Sequence, residues 1–142
     1  MKPKRARKTL AASPQNQSQN LKKKLQGIWG ETRAARWLET RSFEIISRNW
    51  VPPRGLGLGE VDLLARRAAA GHWELWLFEV KAHAWTGAAG HQEICSEAQR
   101  RRQWGSALWW KSRFPDVRVR MGLLWVDPVG GSVQFLENTC YS

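Results

Sequence analysis

One short stretch constrains this chain more than any other: Trp73-Glu-Leu-Trp-Leu-Phe-Glu-Val-Lys81 is its most apolar segment, yet it ends in an acid and a lysine. A run this rich in aromatic and branched residues reads as a strand, and its apolarity places it at the centre of a sheet. Side chains alternate along a strand, so Glu79 and Lys81 share one face while Val80 turns to the other. Charges at the end of an apolar strand are costly unless paired or bound to a metal.

The preceding strand, Glu60 to Arg67, carries Gly59-Glu-Val-Asp-Leu-Leu64. Val61, Leu63 and Ala65 should point one way, and Glu60, Asp62 and Leu64 the other. Ala68-Ala-Ala-Gly71 reads as the turn. If the two strands form a hairpin, Asp62 can sit beside Glu79. Two readings of Asp62, Glu79 and Lys81 stand side by side. One is a structural ion pair at a sheet end. The other is a site for Mg²⁺ or Mn²⁺, which take a few carboxylates, keep several waters and bind phosphate oxygens. Such a site activates water and neutralises phosphodiester charge. Lys81 would then hold the water or the phosphate.

The remaining pattern supplies the frame. Leu21 to Thr40 reads as a helix with Leu25, Ile28, Ala35 and Leu38 as its apolar stripe. Phe43 to Asn49 reads as a strand, and Val51 to Gly59, with its prolines and glycines, as a loop. Gln92 to Arg113 reads as a second helix, stopped at Phe114-Pro115. Val117 to Val126 and Ser132 to Leu136 complete the strands. The expected fold is α/β, a mixed central sheet flanked by helices, and 142 residues suit one domain.

Charge narrows the partner. Lys and Arg outnumber Asp and Glu by 23 to 12, a net charge of +11. Eight of the bases precede residue 25, with no acid before Glu31. Residues 1–20 are expected to form a disordered basic tail, with the domain over 21–142. Such a tail adds phosphate affinity, but a localisation signal or a solubility tail has the same composition. No apolar run is long enough to span a membrane, no secretory signal is visible, and two cysteines cannot make a disulfide framework. The expected setting is the reducing cytoplasm, and the expected partner is nucleic acid, without a membrane. Arg54, in the glycine-rich loop, and Arg100, Arg101 and Arg102 are candidate nucleic-acid contacts; the three arginines are equally a solvated helix face.

An acid, a spacer and then Asp/Glu-x-Lys is the signature of restriction-endonuclease-like nucleases. Gly30-Glu31 with Ala34 and Leu38, Arg48-Asn49, Gly59-Glu-Val-Asp62 and Phe78-Glu-Val-Lys81 follow in order. In this the chain, over about residues 25 to 126, resembles the YraN-type family of uncharacterised bacterial proteins, whose fold is similar to that of archaeal Holliday junction resolvases. The resemblance implies a restriction-endonuclease-like fold and cleavage of DNA phosphodiester bonds, branched or structured DNA included. It implies Asp62 and Glu79 as metal ligands, Lys81 as catalytic lysine, Glu31 as a helix-borne assistant, and a homodimer. The alternative is a nucleic-acid-binding protein without catalysis. Two departures stand out: His83 where a basic residue, usually arginine, is expected, and Arg120-Met121-Gly122 in place of Arg-Phe-Asp.

Simpler readings apply to the other residues. Glu31 could pair with Arg33 or Arg36 on its own helix. Glu60 lies on the Asp62 face, beside a turn. His83 and His91 read as loop histidines. His91 and Cys95 have helical spacing but lack two further zinc ligands. Gly55, Gly57 and Gly59 read as a flexible loop beside the site. Trp29, Trp37, Trp104, Trp109 and Trp110 lie on the two helices, mostly as core or interface, with one or two left to stack on bases.

Overall fold

The computed structural model describes residues 13–83 and 96–137. Helix α1 (Pro14–Glu39) leads into β1 (Glu44–Trp50), β2 (Val61–Ala69) and β3 (His72–Lys81). Helix α2 (Glu97–Arg113), β4 (Arg118–Val126) and β5 (Val133–Glu137) follow. The strands form one mixed sheet in sequential order, so the apolar β3 is its central strand. Neighbours are antiparallel except β3 and β4, which run parallel on either side of the α2 crossover. The α/β expectation holds, with one helix packed on each face.

Two cores result. On the α1 face, Ala34, Ala35 and Leu38 meet Leu63, Ala65, Trp76, Phe78, Leu124 and Val126. On the α2 face, Ala107 meets Val61, Leu64, Leu75 and Leu77. Small residues on both helices let the helix axes approach the large side chains of the sheet.

Three expectations need correction. Helix α1 starts at Pro14, not Leu21, because Ser13 caps it by accepting the Asn16 N–H and Pro14 supplies the fixed first-turn φ. Residues 14–20, expected in the disordered tail, are thus helical. Leu25 and Ile28 do not face the core; they are 56 % and 49 % exposed. Core contact begins at Gly30, where a Cβ would collide with Ala82. Val61 joins the α2 core instead of sharing the face of Leu63 and Ala65. The reason is that the β2–β3 ladder begins at Leu63↔Phe78, so residues 61 and 62 lie outside the regular pleat between these strands.

Candidate metal and phosphate site

Where the ladder stops, a side chain replaces it. The Asp62 carboxylate accepts the Val80 backbone N–H at 2.8 Å, in the position a ladder carbonyl would otherwise fill. This fixes Asp62 against the end of β3, next to Glu79. The hairpin turn at Ala70-Gly71, both with positive φ, sets that register from the far end.

Glu79 is the hub. Lys81 Nζ lies 3.0 Å from its Oε1, on the face that strand alternation gives both residues. Gln99 Nε2 donates to Oε1 at 3.0 Å, and Gln103 Nε2 donates to Oε2 at 2.8 Å. Burial pushes the Glu79 carboxyl up to about 7, and the neighbouring charge of Asp62 adds to the rise. Asp62 is also raised, chiefly by burial, against the Val80 N–H bond and the charge of Lys81. The charge of Asp62 makes Glu79 harder to ionise, as expected of neighbouring carboxylates that cannot both ionise at low cost.

Glu31, on α1, is near enough for the charge of Asp62 to act on it. Its carboxyl is raised first by burial and then by the charge of Asp62; the amide of Asn49 and the guanidinium of Arg48 oppose the rise. Asn49 Nδ2 donates to it at 3.3 Å, and Arg48 stands at 3.9 Å. Asn49 takes a positive φ of 53°, turning this end of β1 toward the helix. The alternative of pairing within α1 is not what the structure has: Arg33 donates instead to the Gly131 carbonyl at 2.8 Å.

A recess of about 380 Å³ opens over the two carboxylates, lined by Leu58, Glu60, Gln99, Arg102 and Gln103 besides Asp62 and Glu79. One wall of it corrects an expectation. Gly59 is held in place: its N–H donates to the Arg102 carbonyl at 2.9 Å, and its carbonyl accepts the Ser106 hydroxyl at 2.6 Å. A Cβ there would lie 3.1 Å from the backbone of Arg102 and Gln103. The missing side chain lets the segment leading into β2 lie directly on α2. A second recess of the same volume, lined by His72, Trp104, Lys111 and Arg118 among others, contains none of these acids.

The basic candidates separate. Arg102 lines the recess. Arg101 is turned to Glu97 at 2.6 Å on the exposed face of α2. Arg100 is half-buried, and Arg54 is exposed in the loop before β2. Glu60, exposed, stands at the rim. Of the helix tryptophans, Trp109 and Trp110 pack on Trp50, while Trp29 and Trp104 stay exposed at 41 % and 42 %. The His83 ring rests on Trp125, 4.4 Å between centroids. Arg120 bonds Glu74, and a side chain at Gly122 would strike Phe78 and Phe135, so this segment serves the core. His91 and Cys95 lie outside the described residues.

Gln99 and Gln103 were missed by the sequence reading. Their signal was the four-residue spacing on one helix face. Nothing in the sequence alone aimed that face at Glu79.

Among the described residues, no three His, Cys, Asp or Glu side chains form a ready metal cage. What the site offers is two adjacent carboxylates with hard oxygen donors beside an open recess. That suits Mg²⁺ or Mn²⁺, which keep much of their water. A cation there would offset the negative charge that the two carboxylates place side by side.

Residues 30–126 match the model of the uncharacterised protein family UPF0102. A UPF0102 protein of Rhodococcus opacus is 34% identical over 105 residues, covering 68% of this chain and 82% of that protein. One from Acinetobacter baylyi is 30% identical over 92 residues, 65% of this chain and 60% of its own. One from Treponema pallidum is 48% identical over 44 residues; that match covers 31% of this chain and only 32% of the relative.

Proposed function

The chain belongs to the uncharacterised family UPF0102, and on that footing we propose that it is a metal-dependent endonuclease hydrolysing phosphodiester bonds of DNA, branched or structured forms included. In this reading the fold is of the restriction-endonuclease-like kind. The observation that carries it is the meeting of Asp62, Glu79 and Lys81 beside a recess with Arg102 in its wall. The +11 charge adds attraction to a polyanion without sequence preference.

Asp62 and Glu79 would hold Mg²⁺ or Mn²⁺. When bound, the cation supplies neutralising charge to a phosphate oxygen and lowers the pKa of a water. Lys81, held by Glu79, presents an ammonium where negative charge develops during attack on phosphorus. Arg102 grips the phosphate entering the recess, and Glu31 assists through Asp62. The wider expectations belong to the same proposal: a homodimer acting in the cytoplasm.

Purified protein with Mn²⁺ should cleave branched, flapped or single-stranded DNA, and Lys81→Ala should abolish cleavage without changing the circular dichroism spectrum. Wild-type turnover by that variant would overturn the assignment. One observation favours a second reading, a nucleic-acid binder that does not cut: the Glu79–Lys81 pair already satisfies itself at 3.0 Å. Salt-dependent DNA binding with no Mn²⁺-dependent turnover would establish that reading instead.

A further inference from the structure

We propose that Gln99 and Gln103 are positioning residues that leave one lone pair of Glu79, on Oε2, open to the divalent cation. The inference rests on the cation-site reading above. It adds which oxygen is used and what holds it.

The argument is one of hydrogen-bond capacity. A carboxylate oxygen accepts two bonds in its plane. Glu79 Oε1 already receives two, from Gln99 Nε2 and Lys81 Nζ, each at 3.0 Å. Oε2 receives one, from Gln103 Nε2 at 2.8 Å. Among the described residues the remaining lone pair is therefore on Oε2, and Glu79 lines the same recess as Asp62. A cation taken by both carboxylates would enter there.

The chemistry of the clamp fits that task. A second lysine or an arginine at either position would hold Glu79 as firmly, but would cancel its charge and repel the cation. An amide donates a hydrogen bond and adds no charge. Gln103 is 7 % exposed, and burying an amide is costly unless it is bonded. The two glutamines lie one turn apart on α2, and the Gly59–Arg102 and Ser106–Gly59 bonds fix that helix against the segment leading into β2.

The test is Mn²⁺ affinity of the full chain, read from the electron paramagnetic resonance signal of free Mn²⁺. Gln103→Met keeps the length and volume of the side chain and removes the donor, so it tests the clamp even if Gln103→Ala fails to fold. Gln99→Met and Gln103→Met should each weaken Mn²⁺ binding about 10–100-fold, as loss of a ligand-orienting partner does elsewhere. Their circular dichroism should be unchanged, and cleavage should lose kcat with KM for DNA retained. Wild-type Mn²⁺ affinity in both variants, with binding lost in Asp62→Ala, would overturn the clamp and leave the cation site standing. A wild-type chain that takes up no Mn²⁺ would overturn both.

Discussion

Lys81 Nζ lies 3.0 Å from Glu79 Oε1 along one face of β3, while Val80 between them packs into the core on the opposite side of the sheet. The lysine is thus delivered with its acid by the strand itself. Even so, its charge does not bring Glu79 back to the ordinary carboxylate range, because burial and Asp62 together outweigh it.

This gives the metal-free protein a defined pH dependence. Glu79 titrates near 7 when folded, against 4.5 for its ordinary value. Between these values the folded state holds a proton that the unfolded chain has released. The stabilisation is full below pH 4.5 and is lost as pH rises through about 7, a change on the order of 3 kcal/mol. Urea denaturation without metal should give higher stability at pH 5 than at pH 8, and Glu79→Gln should flatten the difference. Added Mg²⁺ should stabilise more at pH 8 than at pH 5.

Glu74 should behave in the opposite sense. It is 3 % exposed on the α1 face and accepts bonds from Arg67 and Arg120, each at 3.1 Å. Burial raises its carboxyl, but the bonds from Arg67, Arg120 and Trp76 outweigh that and hold it below the usual value. Its stabilisation is present above pH 4.5 and is lost as pH falls. Glu74→Gln leaves two guanidinium groups short of their counter-charge and should cost about 2–4 kcal/mol, measured by urea denaturation at pH 7.

Gly59→Ala should push α2 away from the start of β2, since backbone atoms, not flexible side-chain ends, stand in the way. The expected cost is about 1–3 kcal/mol. Mn²⁺ affinity should fall as well, because Gln99 and Gln103 move with the helix. A thermal melt and an Mn²⁺ titration of the same sample check both.

Ala70 holds a φ of 50° at the β2–β3 turn. Ala70→Gly relieves the steric cost of that conformation and should raise stability by about 1 kcal/mol in urea denaturation. The carboxylate site, at the other end of the hairpin, should keep its Mn²⁺ affinity.

The strands were legible because each carried a dense apolar or aromatic run bounded by turn residues, and β3 announced its central place by apolarity. Asp62, Glu79 and Lys81 were legible as a group because alternation and a short hairpin leave few ways to place them. The recess was not. Its walls come from α2, which is far away in sequence, and Gly59 read as a source of flexibility when its missing side chain serves close contact with that helix. The start of α1 was misplaced because a polar glutamine- and asparagine-rich segment has no apolar period; its signal was the Ser13-Pro14 cap.

The parallel joint between β3 and β4 has a kinetic consequence. The β2–β3 hairpin brings Asp62 and Glu79 together through a local closure, whereas the amides of α2 arrive only when the long crossover has docked. Until then Glu79 has Lys81 beside it but not the two amides. The pairing of the two acids is thus a local event and their amide clamp a non-local one.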